Sequence, residues 1–197
     1  MSEYVRKGYG GKSVATKRFE GTARTAGSLY GALSALGTGQ PGEFTGTLNR
    51  PVLQGRSARE IIDAVIEAVR PVDGTQDSEA SREAINESLS DLLERFPDAD
   101  LLALTEDQRA LVVEIYTAED IFRRLALDVG KHIHDTSPTA SDALARLGQI
   151  REYVREVVSD SFKRLRDAGT QLNTGHVSAV VRSALSAALE VFELTRV

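Results

Sequence analysis

The chain has 197 residues, 27% of them charged, with no cysteine and a net charge of −5. That length suits one domain with an appendage and a core that needs no staples, and the missing cysteine excludes disulfides and thiolate metal sites. No stretch approaches the ~20 apolar residues of a membrane span and no signal-like apolar region opens the chain, so the sequence reads as cytoplasmic, without a membrane role.

The charge is unevenly placed. Residues 1–50 hold seven Lys/Arg against three Asp/Glu, and residues 51–197 hold seventeen against twenty-six. Ten of the sixteen glycines also lie before residue 50. A basic arm on an acidic body either folds back onto that body or reaches an acidic partner.

In chain order, residues 1–11 are an irregular lead-in, because Gly8, Gly10 and Gly11 cost too much backbone entropy for a helix. Ser13 is the N-cap of a helix running to about Leu36, ended by Gly37 and Gly39. Val14, Leu29, Leu33 and Leu36 give it an apolar stripe. Ala23, Gly27, Gly31 and Ala35 recur every four residues as a second, small-residue stripe. Each glycine inside a helix costs ~1 kcal/mol against alanine, which is understandable where another backbone packs closely. The favoured reading is a tight helix crossing within the chain; the sharper one is a groove for a partner.

Residues 37–56 are a long connection whose glycines, with Pro41 and Pro51, exclude a helix. A short hairpin through Phe44–Leu48 is the local alternative. This loop divides the chain into residues 1–57, the arm with its first helix and loop, and residues 58–197, an acidic helical bundle.

The body reads as helix after helix. Ser57 and Glu60 form a capping box that opens Ala58–Arg70, and Pro71 stops it. Asp77 or Ser78 caps a helix to about Phe96, ended by Pro97. Thr105 and Gln108 form a second box, opening a long helix to about His132 that Thr117–Asp120 interrupts. Ser137 caps the next helix, with Pro138 in its first position, and Gly169 ends it. At about 30 residues it is ~45 Å long and needs a partner helix of similar span. A last helix, His176 to Leu194, is rich in Ala and Val. The fold class is all-α: a helical bundle with a Gly-rich basic N-terminal arm and helix.

Three places in the chain carry residue types that could do chemistry. His132-x-His134-Asp135 is the nearest to a metal site, but at a helix end the two rings diverge by ~200° and no third ligand follows. Gly8-Tyr9-Gly10-Gly11-Lys12-Ser13 resembles a phosphate loop, yet Arg6 stands where the motif needs its first glycine. His176 has no adjacent nucleophile. The expectation is therefore no catalytic residue, no metal, no cofactor and no enzymatic activity. Basic residues with Tyr4, Tyr9, Phe19 and Tyr30 also suit stacking on a nucleic acid, which makes a nucleic-acid-binding accessory protein the alternative reading.

One stretch carries more. Tyr4-Val5-Arg6, Gly8-Tyr9-Gly10-Gly11, Ala15-Thr16-Lys17-Arg18-Phe19, Gly21 and Ala23 through Leu33 resemble the QatB component of the bacterial Qat anti-phage defence system. The resemblance implies an accessory protein acting with an ATPase, a QueC-like enzyme and a TatD-like nuclease. It implies the binding partner and substrate of the QueC-like enzyme, modified at the N-terminus of a Gly/Ser/Thr/Pro-rich leader. This sequence starts Met1-Ser2-Glu3 directly ahead of the motif, so no modified residue is carried onto it. Interfaces draw much of their energy from a few arginines and aromatics. Tyr4, Arg6, Tyr9, Phe19, Arg24 and Tyr30, with Gly27 and Gly31 as the close-approach positions, are the expected partner-binding residues.

Overall fold

The computed structural model describes residues 19–39, 48–170 and 172–194. Regular structure in these residues is helical throughout: α1 (Glu20–Thr38), α2 (Arg50–Leu53), α3 (Ala58–Val69), α4 (Gln76–Arg95), α5 (Glu106–Thr136), α6 (Ala140–Asp167) and α7 (Thr174–Leu194). The all-α expectation holds. The hairpin expected through Phe44–Leu48 falls mostly outside the described residues, and Leu48 itself has no regular structure.

Local chemistry sets the helix ends. Both capping boxes form: the Ser57 side chain accepts from the Glu60 N–H at 3.3 Å, and Thr105 accepts from the Gln108 N–H at 3.2 Å. Gly39 closes α1 at φ 71°, a left-handed conformation that costs glycine nothing, and its N–H bonds the Ala35 carbonyl. Other caps differ from expectation. Thr75, not Asp77 or Ser78, caps α4. Thr139 caps α6 by accepting from the Asp142 N–H, so Pro138 stands outside the helix. Ser137 turns the other way and donates to the Ile133 carbonyl at the end of α5. The connection expected to be free of helix contains α2, a single turn that takes Pro51 near its start, where the lost N–H has no intrahelical partner anyway.

α5 is the axis. It packs along α4 on one side, α6 on another and α1 on a third. At 31 and 28 residues, α5 and α6 match in length, which is the partner that the long helix required. α5 runs unbroken through Thr117–Asp120. Thr117 folds its hydroxyl back onto the Val113 carbonyl at 2.7 Å, and Glu119 and Asp120 find partners on other helices. One hydrophobic core contains Phe19, just before α1, and Leu29 and Leu33 of α1 together with Ile85, Val112, Val154, Phe162 and Val181 of the later helices. The core thus continues across residue 57, where the arm was expected to end. The apolar loop before α5 belongs to it as well: Leu101, Leu102 and Leu104 are buried there.

Candidate interaction surface at the first helix

α1 lies between α7, α5 and α3, and three kinds of contact hold it. The first is close backbone approach. Ser178 of α7 donates to the Ala23 carbonyl at 3.1 Å. A Cβ placed on Gly27 would meet the Ser178 Oγ at 2.6 Å and the Thr174 carbonyl oxygen at 3.2 Å. The small-residue stripe is therefore filled by α7 of the same chain, the tight internal crossing that the sequence favoured.

The second contact is aromatic. Tyr30 is buried, donates its hydroxyl to the Leu172 carbonyl at 3.1 Å and lies under the Arg109 guanidinium, 5.7 Å from its ring centroid. Burial raises its pKa, against the pull of Arg109. Phe19 is only 1% exposed and anchors the start of the helix.

The third is a buried polar latch. Asp120 of α5 has no solvent exposure. It accepts from Thr22 of α1 at 2.5 Å, from Ser81 of α4 at 2.6 Å and from Arg124 Nε at 2.9 Å. Arg124 continues to Ser81 at 2.9 Å and to Asp77 at 2.8 Å. Burial acts to lower the Arg124 pKa, but Asp120 and Asp77 outweigh it, and the guanidinium stays charged. Tyr116 is fully buried beside this latch, and among the described residues its hydroxyl makes no hydrogen bond. Burial pushes that phenol well above the tyrosine range, and the nearby Asp120 carboxylate adds to the push.

A second ionic cluster joins α4, α5 and α6 about a quarter-turn around α5 from the latch. Glu119 is buried and accepts from Arg151 at 2.6 Å and Arg155 at 2.8 Å. Glu87 bridges Arg151 and Arg123. Arg151 also lies 5.5 Å from the Phe122 ring centroid.

Of the expected partner-binding residues, Tyr4, Arg6 and Tyr9 lie outside the described residues. Phe19, Gly27, Tyr30 and Gly31 are buried, the first three in contacts within the chain. Arg24 is exposed, with no ion pair among the described residues. The sequence reading missed the latch. Its signal was present: Tyr116, Asp120 and Arg124 recur every four residues on a face that also carries Val113 and Ile121. A carboxylate and an arginine in that phase have to be buried together. Among the described residues no group of three or more His, Asp or Glu is placed to hold a metal, and no helix is long and apolar enough to cross a membrane.

No curated protein and no solved structure matches the chain. The family model described as "Qat anti-phage system associated protein QatB" matches residues 10–192. That span takes in the latch, the α1–α7 crossing and all but the end of α7, so the chain belongs to the QatB family, a component of the Qat anti-phage defence system.

Proposed function

We propose that this protein is a non-enzymatic, cytoplasmic interaction component of a Qat complex, the binding partner and a candidate modification substrate of a QueC-like enzyme, alongside an ATPase and a TatD-like nuclease. The family match over residues 10–192 supports this reading. The placement of α1 adds to it. Phe19, Thr22 and Gly27 are committed to the bundle, so the basic sequence 4–18 joins a fixed point, with Arg24 facing solvent one turn further on. A basic, aromatic-bearing stretch beside a rigid helix supplies the arginines and rings that interfaces use.

The test is a pull-down of the QueC-like enzyme by the full chain and by Arg6→Glu, Arg24→Glu and Tyr9→Ala variants, each checked for an unchanged helical spectrum. Weakened capture by these three is the expected result. Capture equal to the parent's, with loss only when the Leu147–Val157 face of α6 is altered, places the interface elsewhere. Capture of nucleic acid instead, falling steeply with salt as phosphate contacts require, favours the nucleic-acid reading.

A further inference from the structure

Between the N-terminal half of α4 and the middle of α5 lies a groove of about 560 Å³, open along one side. Its floor is apolar, made by Phe122, Ala126 and Leu127, and Leu127 is 50% exposed. Its rim carries Glu79, Glu83 and Arg123. Arg123 pairs with Glu83 at 2.6 Å, but the Glu83 side chain stays 65% exposed. Glu79 is exposed and has no ion pair among the described residues. Such a floor and rim suit an aromatic side chain followed by lysines or arginines.

We propose that this groove is the resting seat of the chain's own N-terminal segment, Tyr4–Arg18, with Tyr9 on the Phe122–Leu127 floor and the basic residues on Glu79 and Glu83. Charge is the first argument. Residues 4–18 carry five Lys/Arg and no Asp/Glu, against a rim with two carboxylates and one arginine, of which Glu79 is the carboxylate that Arg123 does not hold.

Position is the second. The segment joins the bundle at the buried Phe19. Two residues on, a Cβ at Gly21 would lie 3.8 Å from Arg124 Nη2, and Arg124 reaches Asp77 in the first turn of α4. Asp77 adjoins Gln76 and Thr75, which form the near end of the groove. The chain therefore has to pass the end of one helix, ~10–12 Å across. Ten residues, from Phe19 back to Tyr9, span up to ~33 Å extended, which is enough. The groove also lies within the ~300–1,000 Å³ range of clefts that bury a small ligand, which leaves room for a tyrosine ring.

A partner that reads the basic segment then competes with this groove for the same residues. The seat is independent of which partner that is.

The chain has no cysteine, so a single engineered pair reports contact without background. The full chain carrying Tyr9→Cys with Leu127→Cys is oxidised at low concentration, and the monomeric crosslinked product is measured. A Tyr9→Cys, Phe96→Cys chain, with Phe96 exposed just past the other end of α4, is the control. The expected result is fast crosslinking at Leu127→Cys and slow at the control. Adding Glu79→Lys with Glu83→Lys should slow the first about ten-fold, since two attractions become repulsions. Oxidation in ~1 M salt should slow it too, and needs no charge variant to fold. Equal rates for the two pairs, or rates indifferent to both charge reversal and salt, overturn the proposal. A product made only of disulfide-linked dimers overturns it in favour of a seat for a second copy's segment.

Discussion

Thr22 on α1 donates a 2.5 Å hydrogen bond to Asp120 on α5, and both side chains are sealed from solvent. Asp120 is also the acceptor for Ser81 and the counter-ion of Arg124. Removing it takes the Nε acceptor from a buried guanidinium, which keeps the Asp77 carboxylate, and leaves the Thr22 and Ser81 hydroxyls without theirs. Asp120→Ala is expected to cost about 3–5 kcal/mol, and Thr22→Val about 1–3 kcal/mol, since Thr22 gives up one bond while the ion pair stays whole. Urea unfolding followed by circular dichroism ranks the two.

Gly27 tests the α1–α7 crossing. Alanine there gains about 1 kcal/mol of helix propensity. Its Cβ, however, meets Ser178 Oγ at 2.6 Å and the Thr174 carbonyl at 3.2 Å. Displacing Ser178 also breaks its bond to the Ala23 carbonyl. We expect a net loss of about 1–3 kcal/mol for Gly27→Ala and more for Gly27→Leu. Gly27→Ala combined with Ser178→Ala should recover part of it, because the Thr174 backbone alone still has to give. Gly27→Leu is consequently a test of the bundle rather than of partner docking.

Alkaline stability isolates Tyr116. Its folded pKa lies well above 10.0, so the folded state holds the phenolic proton where the unfolded chain releases it. The stability from this group is fully present below pH ~10 and is lost as pH rises beyond the unfolded value. Tyr116→Phe should flatten that loss in thermal melts between neutral pH and pH ~11. At neutral pH it should cost under about 1 kcal/mol, since the hydroxyl it removes makes no hydrogen bond among the described residues.

The two arginines on Glu119 are not equivalent. Arg151 also binds Glu87 and lies against Phe122, while Arg155 is 44% exposed and keeps one buried partner. Arg151→Ala should therefore destabilise by about 2–4 kcal/mol and Arg155→Ala by about 1 kcal/mol. Denaturant midpoints for the two, measured side by side, decide the order.

What the sequence made legible was whatever local chemistry decides. The Ser57 and Thr105 boxes and the apolar periods placed α3 and α5 because caps and helical spacing act within four residues. The small-residue stripe announced a close crossing, but only the fold says that α7 fills it. Thr117–Asp120 looked like a break because polar residues on an inward phase are costly alone. They are satisfied by Ser81, Thr22 and Arg151, residues on three other helices. Pro138 misled for the converse reason: the hydroxyls either side of it each serve a different helix, and Thr139 takes the cap. Of the expected partner face, burial inside the bundle claimed Phe19, Gly27, Tyr30 and Gly31, and Arg24 alone stays outward among the described residues.

The pairing of α1 with α7 has a consequence for synthesis. Ser178 and Ala23, which join the two helices, are separated by 155 positions. A ribosome adding ~5–20 residues per second takes roughly ten to thirty seconds to cover that distance. Throughout, α1 has no helix to cover its glycine face. α1 is thus among the last helices to be secured, although the five helices between it and α7 are made in the meantime.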